Sequence, residues 1–161
     1  MNYFELFNIP VGFTIDQAKL NQTYISLQKK YHPDYYGQSN KEDQSNSLEM
    51  SSLVNKAYRT FKNKDLTVKY FLQMKELIEE GEQYKLSPDF LMEVMELNEL
   101  KMDGAAAEEI TRKAQIMEEE LYGEIKTVME GYSDEKVTPT DLLKIKDYYY
   151  KKKYIDRLLA E

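Results

Sequence analysis

No cysteine occurs among the 161 residues, and histidine occurs once, as His32. The first absence excludes a disulfide framework, a thiolate nucleophile, a Cys-ligated zinc and an iron–sulfur cluster held by the chain's own sulfurs. The second excludes any site built on two imidazoles. Long apolar runs are missing too, far short of the roughly 20 residues of a membrane span. The start, Met1-Asn2-Tyr3-Phe4-Glu5, lacks the basic and apolar regions of a signal peptide. Positive charge is scarce overall: 22 Lys and Arg against 29 Asp and Glu give −7, a poor balance for gripping nucleic acid phosphates. The expectation is a cytoplasmic protein with no cofactor and no membrane or nucleic acid partner, left with carboxylates, lysines, tyrosines and one imidazole.

What is present is unevenly spread. Residues 1–70 carry nine basic and seven acidic side chains, a net +2, whereas residues 71–161 carry thirteen and twenty-two, a net −9. Two modules with different partners are implied. Only four Pro and six Gly punctuate the chain, and the apolar spacing is helical almost throughout, so the fold class is all-α. Tyr3 to Phe7 reads as a short first helix. Thr14-Ile15-Asp16-Gln17 fits a capping box, after which Leu20, Tyr24, Leu27 and Tyr31 form a helical stripe opposite Lys19, Gln22, Ser26, Lys29 and Lys30. Pro33 turns His32 away from helical geometry, and Asp34 to Asn40 is expected as a loop. A third helix carries Val54, Ala57, Tyr58 and Phe61, and a linking helix carries Val68 to Met74.

Ser87-Pro88-Asp89 is a helix start, with Ser as cap and Pro in the first turn. Gly104 closes that helix. The next is expected over 105–130 with Ile110, Ala114, Met117, Leu121 and Val128 inward, and Thr138-Pro139 opens a last one reaching about Leu159. The predicted architecture is an N-terminal helical hairpin (1–74, linking helix included), a junction (75–86) and a C-terminal three-helix bundle (87–161).

Two places depart from plain helix packing. At Tyr31-His32-Pro33-Asp34 the simplest reading is a proline stop with a solvated carboxylate. The alternative is a recognition corner, in which an imidazole, a fixed turn and a carboxylate stand beside a lysine face that steers acidic partners. An enzymatic reading would make His32 a base oriented by Asp34, but the sequence around it offers no Ser or Cys nucleophile and no phosphate loop. In the helix after Ser87, Phe90, Val94 and Leu97 already form one buried stripe. Leu91, Met92, Met95 and Met102 lie about 100° or more away on the helical wheel, beside Glu96, Glu99 and Asp103. Either the core contact is wide and methionine fills its gaps, or the second face is an exposed apolar patch with an acidic rim.

The His-Pro-Asp corner between two amphipathic helices resembles the J domain of DnaJ-type co-chaperones. Across its whole length the chain resembles HscB, the J-type co-chaperone of iron–sulfur cluster assembly. The matching segments are Tyr3-Phe4-Glu5-Leu6-Phe7, Leu27 to Asp34, Asn55-Lys56-Ala57-Tyr58, Tyr70-Phe71-Leu72 and, above all, Phe90-Leu91-Met92-Glu93-Val94-Met95-Glu96-Leu97. The resemblance implies a protein that is not an enzyme. It implies that His32, Pro33 and Asp34, with Lys29 and Lys30, engage a DnaK-class chaperone of the HscA type and stimulate its ATP hydrolysis. It further implies that Leu91, Met92, Met95, Glu96 and Glu99, joined by Lys153 and Tyr154 from the last helix, hold the scaffold protein IscU. The same hairpin serving a different client protein is the alternative. Two departures stand out: Lys64 and Thr67 occupy positions where the family commonly has Pro and Arg, and the four-cysteine metal module of some relatives has no counterpart here.

Overall fold

Phe4, Phe7, Leu20, Val54, Ala57 and Phe61 are the buried centre around which the first part of the chain folds. The computed structural model describes residues 1–37 and 40–161, so Gln38 and Ser39 of the expected loop lie outside the described residues. Among these, seven α-helices and one 3-10 turn are present: α1 (Tyr3–Leu6), α2 (Gln17–Tyr31), the turn Pro33–Tyr36, α3 (Lys41–Phe61), α4 (Lys64–Met74), α5 (Pro88–Met102), α6 (Ala107–Glu130) and α7 (Pro139–Ala160). They form two compact units, Met1–Met74 and Lys75–Glu161. The all-α class and the hairpin-then-bundle order agree with the sequence reading. No helix of the described residues is long and apolar enough to cross a membrane.

In the first unit α2 and α3 pack as an antiparallel pair. Its core is aromatic at one end, where Phe61 meets Phe4 at 5.0 Å and Phe7 at 5.8 Å between ring centroids. Tyr3 stacks on Tyr70 at 4.1 Å, and its backbone N–H donates to the Tyr70 hydroxyl at 2.9 Å. Burial raises the Tyr70 phenol above its ordinary pKa, an effect partly offset by that N–H bond. The helix start differs from expectation. Asp16, not Thr14, caps α2, its carboxylate accepting from the backbone N–H groups of Ala18 and Lys19. An ionised acceptor immediately before the first turn is the stronger partner for those amides. Gln17 instead reaches the Phe61 carbonyl at 3.4 Å. Of the α2 stripe only Leu20 is fully buried; Tyr24, Leu27 and Tyr31 are half-buried against the same core.

In the second unit Phe90, Val94 and Leu97 of α5 pack with Ile110 and Ala114 of α6 and Ile155 and Leu158 of α7. The Lys101 ammonium donates to the Leu158 carbonyl at 2.9 Å, tying the C-terminal end of α5 to that of α7. Gly104 takes φ +84, the left-handed conformation that closes α5 and that a side chain would resist. Thr138 and Asp141 make a full capping box at the start of α7. Of the expected inward residues of α6, Ile110 and Ala114 are buried and Met117, Leu121 and Val128 half-buried, and Ile125 and Met129, which the list lacked, are buried as well. Met117 and Leu121 pack against the core that the three helices share.

Candidate functional site: a polar corner and an uncovered helix face

The first site follows from the end of α2. His32 adopts an extended backbone (φ −60, ψ 130), as the residue before a proline must, and this breaks the helix. The expected loop is in part ordered as the 3-10 turn Pro33–Tyr36, because Pro33 presets its φ and the His32 carbonyl accepts from Tyr35 N–H at 3.1 Å. His32 Nδ1 accepts from the Asp34 backbone N–H at 3.2 Å. That bond places the neutral ring's proton on Nε2, so the ring offers solvent an N–H donor. The Asp34 carboxylate lies 3.5 Å from Nδ1 with 89% of its side chain exposed. It is an acceptor standing beside a donor, both available to a partner. The Tyr36 hydroxyl donates to the Lys30 carbonyl at 3.0 Å and pins the turn to the last turn of α2.

Lys29 and Lys30 are exposed on that last turn, with the Lys30 ammonium 5.1 Å from the Tyr31 ring centre. The structure therefore brings His32, Pro33, Asp34, Lys29 and Lys30 to one end of the hairpin. Two exposed residues of this unit escaped the sequence reading: Tyr35, 68% exposed beside His32, and Ile25, 54% exposed farther along α2. Ile25 falls outside the Leu20/Tyr24/Leu27 stripe on a helical wheel, which is the signal that would have found it.

The second site lies on α5. Its cap is Ser87, whose hydroxyl oxygen accepts from Phe90 N–H at 3.3 Å. Phe90, Val94 and Leu97 are buried, whereas Leu91 is 36% exposed, Met92 61%, Met95 60% and Met102 78%. Glu96 and Glu99 are exposed among them. The wide-core alternative for this helix is thereby removed. Tyr154 of α7 sets its ring edge-on to Phe90 at 6.3 Å and remains 41% exposed. Lys153 leans elsewhere, its ammonium 5.8 Å from the Tyr149 ring and 6.0 Å from Tyr150.

A third cluster had no sequence signal. The stretch 75–86 lies on its own unit through a polar network on α7. Tyr84 stacks on Tyr150 at 4.5 Å and donates its hydroxyl to Asp147 at 2.7 Å. Tyr150 and Lys146 both donate to Glu82, at 2.8 and 2.7 Å. Those two bonds, that from Lys146 foremost, hold the Glu82 carboxyl below its ordinary pKa. Burial and the adjacent carboxylates push the Tyr84 and Tyr150 phenols upward. Among the described residues no group of three His, Asp or Glu side chains is placed to hold a metal ion.

The fold is thus an α-helical hairpin with His-Pro-Asp at its exposed corner, followed by a separate helical bundle. The chain belongs to the HscB co-chaperone family. It is 30% identical to the Co-chaperone protein HscB homolog of Photobacterium profundum over 162 aligned positions, covering 100% of this chain and 94% of that one. It is 34% identical to the mouse Iron-sulfur cluster co-chaperone protein HscB over 84% of this chain and 59% of the mouse protein. The family model for the HSCB C-terminal oligomerisation domain matches residues 86–161. The crystal structure of human co-chaperone protein HscB superposes with a TM-score of 0.78 at 27% identity, covering 98% of this chain and 78% of the human one. Over other curated HscB homologs the chain spans about half their length, from 43% to 59%.

Proposed function

We propose that the protein is a cytoplasmic co-chaperone of iron–sulfur cluster assembly that carries out no reaction itself. In this reading the acid-rimmed face of α5 binds the scaffold protein IscU. The corner formed by His32, Pro33 and Asp34, steered by Lys29 and Lys30, docks on a DnaK-class chaperone of the HscA type and stimulates its ATP hydrolysis. The first unit (1–74) is then the J domain with its linking helix, and the bundle 87–161 the scaffold-binding domain. The observation that carries the reading is the division of α5 into two apolar faces. One is closed in the bundle, and the other, with Leu91, Met92 and Met95, lies open beside Glu96 and Glu99.

An open apolar patch with a charged rim is the make-up of a protein-binding surface. From α7, Tyr154, whose ring is edge-on to Phe90 of α5, and Lys153 join α5 in binding the partner in this reading. The test is calorimetric titration of IscU into the wild-type protein and into the double variant Leu91→Ala/Met92→Ala. Binding is expected to weaken by roughly 2 kcal/mol or more, as for interface anchors, with melting temperature nearly unchanged. A double variant that binds IscU as the wild type does would assign the face no part in scaffold binding.

A further inference from the structure

Of the eight methionines, four are exposed, and three of those four stand on the uncovered side of α5: Met92, Met95 and Met102. The fourth is Met1 at the chain start. Met129 is buried, and Met50, Met74 and Met117 are half-buried against the two cores. In a chain with no cysteine, thioethers are the side chains most open to two-electron oxidation. Here they are concentrated on the face proposed to hold the partner. We infer that Met92, Met95 and Met102 form a peroxide-sensitive modification site, and that their oxidation to methionine sulfoxide releases the scaffold protein. The inference rests on the scaffold-binding reading of the same face.

The chemistry needs only hydrogen peroxide as oxidant. A lone pair on the methionine sulfur attacks one peroxide oxygen and forms the S–O bond as the O–O bond breaks. The departing hydroxide takes the proton left on the transferred oxygen, so each step yields one sulfoxide and one water. Sulfur is oxidised by two electrons and the peroxide is reduced by two. Hydrogen peroxide is neutral, so Glu93, Glu96 and Glu99 do not repel it as they would anionic hypochlorite. The product is a strongly polar S–O group where the partner presents apolar surface. Burying it there without a hydrogen-bond donor is unfavourable. The helix itself is spared, because its core stripe of Phe90, Val94 and Leu97 contains no sulfur.

The experiment treats the full-length protein with hydrogen peroxide. It maps added oxygen by peptide mass spectrometry, follows helix content by circular dichroism, and titrates the product with IscU. Met92, Met95 and Met102 are expected to gain oxygen before Met50, Met74, Met117 and Met129, with helix content unchanged. Affinity for IscU is expected to fall about tenfold or more, and methionine sulfoxide reductases with a dithiol reductant should restore it. Prior saturation with IscU should slow oxygen uptake at Met92 and Met95. The variant Met92→Leu/Met95→Leu/Met102→Leu, compared with itself before and after peroxide, should show no peroxide-dependent loss. An equal loss in that variant, retained affinity in fully oxidised wild type, or oxygen uptake led by Met117 and Met129 would each overturn the inference. If the untreated protein does not bind IscU, the scaffold reading fails, and the order of oxygen uptake is still decided by mass alone.

Discussion

The His32 ring is held by its own turn. Nδ1 accepts from the Asp34 N–H, and Pro33 keeps the ring and the Asp34 carboxylate side by side on a rigid corner. Both side chains point to solvent, and neither contributes to a core. His32→Gln or Asp34→Asn should therefore leave helix content and melting temperature unchanged while abolishing stimulation of an HscA-type ATPase. A steady-state phosphate-release assay, run beside circular dichroism, checks this, and stimulation that survives either change counts against the corner. At Glu82 the argument concerns stability. Its carboxyl is held below the ordinary value of 4.5 by hydrogen bonds from Lys146 and Tyr150, so the ionised form stabilises the second unit above about that pH. That contribution is lost as the pH falls through the lowered folded value. A melting curve at each pH from 7 to 3 should show a steeper acid decline for wild type than for Glu82→Gln, which lacks the titrating group.

Elements are where the two faces of α5 separate. Phe90 is 4% exposed and central to its cluster, whereas Met92 on the same helix is mostly exposed. Phe90→Ala should destabilise the bundle by roughly 3–5 kcal/mol through lost burial and a residual cavity. Chemical denaturation would measure the difference, and a loss under ~1 kcal/mol would mean that the stripe is not the core of the bundle. The helix periods were legible in the sequence because each core face repeats at 3.6 residues and Pro88, Gly104 and Pro139 mark the ends. The cap of α2 was misplaced by two residues because Thr14 and Asp16 both offer an acceptor oxygen there, and only the path of the chain selects Asp16. The turn after α2 was hidden for a related reason: a 3-10 turn of four residues has no periodicity to read.

At the scale of the whole chain, two units with separate cores meet between Met74 and Lys75. The charge division falls at the same place, since residues 71–74 carry no charge. Fragments 1–74 and 75–161 should each fold alone, their circular dichroism summing to that of the intact protein. Fragment 87–161, which lacks Glu82 and Tyr84, should melt below 75–161. Equal melting temperatures would show that the network of Glu82 and Tyr84 with Lys146, Asp147 and Tyr150 adds nothing to stability.

The sequence by itself determined the local and repetitive features: the all-α class, the helix order, the two charge halves, the His-Pro-Asp corner and the doubly apolar helix. Each depends on residues near one another in the chain. Tertiary structure decided what depends on distant residues meeting. The Tyr148-Tyr149-Tyr150 run reads the same whether it packs or contacts a partner, until Tyr150 is seen on Tyr84 and Glu82, more than sixty residues away. Likewise the wheel showed that α5 is apolar on two sides, but a wheel has no neighbours. Only the placement of α6 and α7 settles which side is covered and which remains open.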